Sequence, residues 1–104
     1  LTDHSISFQV GTFNLDQGNV IQRHVHNKYE RKIFKTSEAL FMIDGKIKVD
    51  LYDIENEFIQ TVVVEKGEII VMLDGGHAIE ILEDSKFVEV KQGPYDENSD
   101  KNHF

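Results

Sequence analysis

The 104-residue chain has no cysteine. That excludes disulfides, thiolate-held zinc, iron–sulfur clusters and thiol nucleophiles, so any bound metal must be held by nitrogen and oxygen. Basic residues are scarce: 11 Lys and Arg stand against 19 Asp and Glu, a net charge of −8. No basic stripe offsets this balance, so no nucleic-acid partner is expected. No apolar run approaches the ~20 residues of a membrane helix, and no charged-then-apolar leader is seen. No membrane partner and a cytoplasmic location are therefore expected. Alanine, the best helix former, occurs only twice.

Valine and isoleucine are abundant, 21 together against 6 leucines. Branching at Cβ stiffens the side chain and suits a pleated strand. No sustained 3.6-residue stripe with caps is found. The chain reads as all-β.

Eight short strands are expected, at Ser5–Val10, Val20–His26, Glu38–Ile43, Lys46–Tyr52, Phe58–Val64, Glu68–Leu73, His77–Leu82 and Lys86–Lys91. Asp44–Gly45 is read as a hairpin turn, because Asp-Gly accepts the positive φ such turns need. Further turns are expected at Glu65–Gly67, Asp74–Gly76 and Glu83–Asp84. Turns every 6–12 residues point to a sandwich or barrel. Residues 1–104 read as one domain, with a polar tail at about 95–104.

The histidines carry the chemical signal. His24 and His26 are two apart on an expected strand, so they share a face ~6.6–6.8 Å apart. Two imidazoles at that distance converge on one ion. His77 follows Gly75–Gly76, where it could enter a barrel mouth. A carboxylate ligand would be Glu30 or Glu38. On a continuing strand Glu30 would sit ~13 Å beyond His26, so geometry favours Glu38 on a neighbouring strand. Leu40 and Met42 would then share its inward face. His4 and His103 read as surface residues.

These residues fit a known pattern. The first cupin motif, G(X)5HXH(X)3–4E(X)6G, is matched by Gly18, His24 and His26. Glu30 meets the first carboxylate spacing, but the glycine position after it is Ser37. Counted from Glu38, the glycine falls at Gly45, with Asn27–Ser37 as a longer link. The second motif, G(X)5PXG(X)2H(X)3N, is degraded. Gly67, Gly75 and His77 are present, Leu73 replaces Pro, the Gly–His spacing is one short, and Ile81 replaces Asn. Over Gly18–Lys91 the chain resembles the cupins. The resemblance implies a cupin-like antiparallel β-barrel or jelly roll, with His24, His26, Glu38 and His77 as metal ligands.

Such a nitrogen and oxygen set suits Fe, Mn, Ni, Co or Zn, a divalent transition metal. Open coordination positions would serve a substrate or dioxygen. Gln22 shares the face of His24 and His26. Arg31, in the basic cluster with Lys28 and Lys32, could hold an anionic substrate. Met42 is read mainly as core, with a possible place in the pocket wall. Gln22, Arg31 and Met42 are thus the candidate substrate contacts.

Three functions compete on these residues. One is a metal-dependent enzyme on a small molecule, anionic if Arg31 holds it, such as a dioxygenase, isomerase or decarboxylase. Another is a metal-free sugar-nucleotide isomerase or epimerase of polysaccharide biosynthesis, with His as acid–base. The third is a non-enzymatic small-ligand binding module. Exposed edge strands and the resemblance together suggest a homodimer.

Overall fold

A computed structural model describes residues 1–104. The chain divides into two compact units, Leu1–Phe34 and Lys35–Phe104. All regular structure lies in the second: β1 (Glu38–Tyr52), β2 (Phe58–Glu65), β3 (Ile69–Met72) and β4 (Gly76–Lys91). The all-β expectation holds, and the sheet is antiparallel throughout. No helix is long and apolar enough to cross a membrane.

The strand count differs from expectation, for a physical reason. Asp44–Gly45 is not a hairpin turn: the chain runs through it as one 15-residue strand. Glu83–Asp84 is likewise interior to the 16-residue β4. The two signals face each other in the β1–β4 ladder, where Asp44 pairs with Lys86 and Lys46 with Glu83. Register shifts run from Met42 to Ile47, so both strands bulge at one place. A bulge needs the same permissive residues as a turn. Gly45 has φ +92°. A Cβ there would lie 2.6 Å from the Ser85 Cα. The Ser85 hydroxyl accepts from the Lys46 N–H at 3.1 Å and donates to the Glu83 carbonyl at 2.7 Å, filling the gap in the ladder.

The bulge changes which residues face the core. Before it, Leu40 and Met42 are buried; after it, Ile47 and Val49 are. The buried parity moves from even to odd, as an inserted residue requires. With Val64 and Met72 these four side chains make the core, and Leu51, Val62, Ile70 and Phe87 pack on it.

β4 pairs β1 from end to end, so β2 and β3 share the other edge of β1. The turn between them bonds β1 at Met42: Gly67 N–H donates to the Met42 carbonyl at 2.8 Å, and Met42 N–H to the Glu68 carbonyl at 2.9 Å. Laid flat, the thirteen residue steps from Glu38 to Leu51 would span about 43 Å. Leu51 pairs with His77, yet the Glu38 and His77 side chains touch. The sheet is therefore rolled, by strand twist and by the bulge. No ladder joins β4 to β2 or β3, so the roll is not closed.

The expected strands Ser5–Val10 and Val20–His26 do not form, and Leu1–Phe34 contains no strand or helix. β-branched composition measures fit to a pleated, half-buried surface and supplies no ladder partner. Val20, Ile21 and Val25 are exposed at 82%, 66% and 87%. Local polar contacts shape this unit instead. Asp3 accepts from the Ser5 hydroxyl and N–H, which holds its carboxyl below the usual range.

Candidate functional site: the Glu38–His77 cavity

Glu38 opens β1 and His77 is the second residue of β4. The rolled sheet joins them. Glu38 pairs with Met72 at the end of β3. The chain then turns through Leu73–Gly75 and enters β4. Contacts at both ends of β1 hold that turn. The Ser37 hydroxyl donates to the Leu73 carbonyl at 2.7 Å, and Lys35 meets Asp74 at 3.3 Å. At Gly75 (φ +83°) the backbone lies so close to the Tyr52 carbonyl that no Cβ fits. The Gly75 N–H, helped by Lys35, holds the Asp74 carboxyl below its ordinary value.

His77 Nε2 and Glu38 Oε1 are 2.7 Å apart, with side chains 31% and 10% exposed. A carboxylate this sheltered needs such a partner. Leu40 and Met42 share the face of Glu38, as alternation from an inward Glu38 requires. Met42, however, is wholly buried in the core rather than on a cavity wall.

The pair lies in a cavity of about 870 Å³ built of Lys35–Phe104 residues, with Tyr52, Met72, Lys91 and Phe104 among its walls. That volume falls in the range of small-molecule sites. The Phe104 ring stands edge-on to Tyr52, centroids 5.1 Å apart. Lys91 donates to Asp100 at 3.1 Å, which raises its ammonium above the ordinary lysine value. His103 is exposed, as expected of a surface residue, and with Phe104 of the polar tail it also lines the cavity. The available signal was an aromatic residue in a polar run, together with a second glycine, Gly76, directly before His77.

The remaining expected site residues lie in Leu1–Phe34. The His24 and His26 rings meet edge-on, centroids 5.2 Å apart. The Gln22 carbonyl is 2.8 Å from His24 Nδ1. A carbonyl only accepts, so Nδ1 carries the hydrogen and Nε2 is the free nitrogen. Gln22 thus contributes its backbone here. Arg31 stacks on Tyr29, 3.8 Å from the ring centroid. Glu30, the alternative carboxylate, is exposed.

The structure therefore brings the four expected ligands together as two pairs, Glu38 with His77 and His24 with His26. Neither unit contains a group of three or more His, Asp or Glu arranged to hold a metal. The 2.7 Å separation of His77 Nε2 and Glu38 Oε1 is that of a direct charge-assisted contact. No family model, no curated protein and no solved structure matches this chain.

Proposed function

We propose that this chain is a small metal-binding cupin, a metal-dependent enzyme acting on a small molecule in the Glu38–His77 cavity. The observation that carries the proposal is the 2.7 Å approach of two donor atoms inside a cavity of ligand size. The rolled antiparallel sheet is compatible with a cupin jelly roll. The resemblance leaves the metal as Fe, Mn, Ni, Co or Zn. Such an ion supplies Lewis acidity to a bound oxygen. The protein's own groups do the rest. Glu38, sheltered from water, orients His77 through its carboxylate. Met72 and the Tyr52 and Phe104 rings give the ligand an apolar wall.

The test is elemental analysis of gently purified protein. Wild type is expected to carry close to one divalent transition metal per chain. Glu38→Ala and His77→Ala are expected to lose it, with affinity reduced at least tenfold. Metal-free wild type that also takes up none of the five metals on dialysis would overturn the proposal.

The 2.7 Å contact of His77 with Glu38 favours one second reading. A proton between His77 Nε2 and Glu38 Oε1 is placed for general acid–base catalysis without metal, as in a sugar-nucleotide isomerase or epimerase. Metal-free protein whose activity on such a substrate needs His77 would establish that reading. Metal-free protein that binds but converts nothing would be a binding module.

We extend the proposal to a cytoplasmic homodimer. The 16-residue β4 has β1 on one edge and no ladder on the other, and open edges favour pairing. Light scattering should give twice the 12.0 kDa chain mass; the single mass at working concentration would refute the dimer.

A further inference from the structure

Lys91 stands directly opposite Glu38 in the β1–β4 ladder. Paired residues in such a ladder share a face, Cβ atoms about 4.5–5.5 Å apart. The Lys91 side chain is only 20% exposed, and a sheltered ammonium requires partners. It has two carboxylates. Glu89, at 3.4 Å, is fixed two residues away on the same face of β4. Asp100, at 3.1 Å and 12% exposed, comes from outside the sheet.

The segment carrying Asp100 starts and finishes at Lys91. After β4 the chain passes Tyr95, whose ring centroid lies 4.8 Å from the ammonium. It then reverses around Asp96. The Asp96 side chain accepts from the Asn98 N–H, and its carbonyl accepts from the Ser99 and Asp100 N–H groups. Asp100 thus returns to Lys91. Further on, the Phe104 ring lies on Gly76, where a Cβ would come within 2.7 Å of it. The segment is latched at two points, an ion pair and a ring against a bare backbone. Neither is part of the sheet ladder.

We infer that Lys91 is the anion-binding group of this cavity, that its ligand is a small organic monocarboxylate, and that Asp100 occupies its place as an internal substitute. The inference deepens the reading of the cavity as the ligand site and rests on it. A carboxylate already satisfies the ammonium in the position a ligand would take. Displacing it costs no sheet hydrogen bond and frees the segment that bears Phe104. The cavity is lined by five carboxylates, those of Glu38, Asp53, Asp74, Glu89 and Asp100, against two ammonium groups, those of Lys91 and Lys101. Such surroundings repel a dianion more than a monoanion, which selects carboxylate over phosphate. The anion site also moves from Arg31, whose guanidinium is engaged with Tyr29, to Lys91.

The experiment is an NMR titration of the full chain with acetate, following the Lys91 ammonium end and the Phe104 ring. Sodium chloride at matched ionic strength separates screening from binding. Wild type is expected to respond saturably, with Phe104 leaving Gly76 as Lys91 shifts. Asp100→Asn removes the competing charge and is expected to half-saturate at about tenfold lower acetate, as loss of one charge-assisted bond implies. Phe104→Ala loosens the segment without altering charge, so it should move half-saturation the same way by less. Lys91→Gln should abolish the response. Equal half-saturation in wild type, Asp100→Asn and Phe104→Ala would overturn the inference. So would a chloride response equal to that of acetate. Tighter binding of inorganic phosphate would overturn the monocarboxylate assignment. None of these readouts uses a metal, so metal content of the same samples reports separately on the proposed enzyme.

Discussion

Gly45→Ala is expected to cost about 3 kcal/mol or more of folding stability, measured as a fall in the urea midpoint. Two terms combine. An alanine held at positive φ costs about 1–2 kcal/mol, and Gly45 sits at φ +92°. Its Cβ would also run into the Ser85 Cα and the Asp84 carbonyl. These are backbone atoms of the facing strand, so β4 has to move, and overpacking of this kind costs about 1–3 kcal/mol. Against a typical total of about 5–15 kcal/mol, the change is large. Gly45→Asn sharpens the test. In a hairpin turn asparagine is well tolerated at positive φ. In the bulge its Cβ meets the same atoms as alanine's. Both variants are therefore expected to be similarly destabilised. A loss below about 1 kcal/mol for Gly45→Asn, well under that of a clash, would show that the facing strand does not approach as described.

Leu40→Ala and Ile47→Ala are each expected to cost about 2–5 kcal/mol, the range for truncating a buried aliphatic side chain. Both residues are fully buried in one core cluster. Phe41→Ala, although it removes more atoms, is expected to cost less than about 1.5 kcal/mol, because the ring lies on the other face at 44% exposure. Chemical unfolding of the three variants reads the parity switch directly. On an unbroken alternation an even and an odd position of one strand cannot both face inward. A small loss at Ile47 beside a large one at Leu40 would mean that no bulge intervenes.

Those two expectations mark where sequence reasoning succeeded and where it stopped. The alternation Ile47, Val49, Leu51 identified a half-buried strand, and Phe58–Val64 matched β2 to within one residue. Asp44–Gly45, expected as a hairpin turn, lies instead inside β1 at a bulge, with Gly45 at φ +92°. Its meaning was not local. The same dipeptide serves a tight turn or a bulge, and the choice depends on whether a strand lies opposite, here Glu83–Lys86. Val20–His26 shows the converse: strand-like composition without a partner gives no strand. At the site, Glu38 is favoured over Glu30 as the start of a strand that could lie beside Val20–His26; that strand does not form, and Glu38 meets His77 instead. Lys91, Asp100 and Phe104 were not legible, since each matters through residues far away in the chain.

The sequence by itself determined the all-β class, through its excess of β-branched residues and scarcity of alanine. It also restricted any metal chemistry to nitrogen and oxygen donors, through the absence of cysteine. Only the tertiary structure decided that two long strands bulge together and roll. The physical reason is that a bulge is a property of a strand pair: its stabilising contacts, Ser85 to Lys46 and Gly45 against Asp84, join residues about forty positions apart. That roll sets Glu38 beside His77, while the β1–β4 register sets Lys91 opposite Glu38.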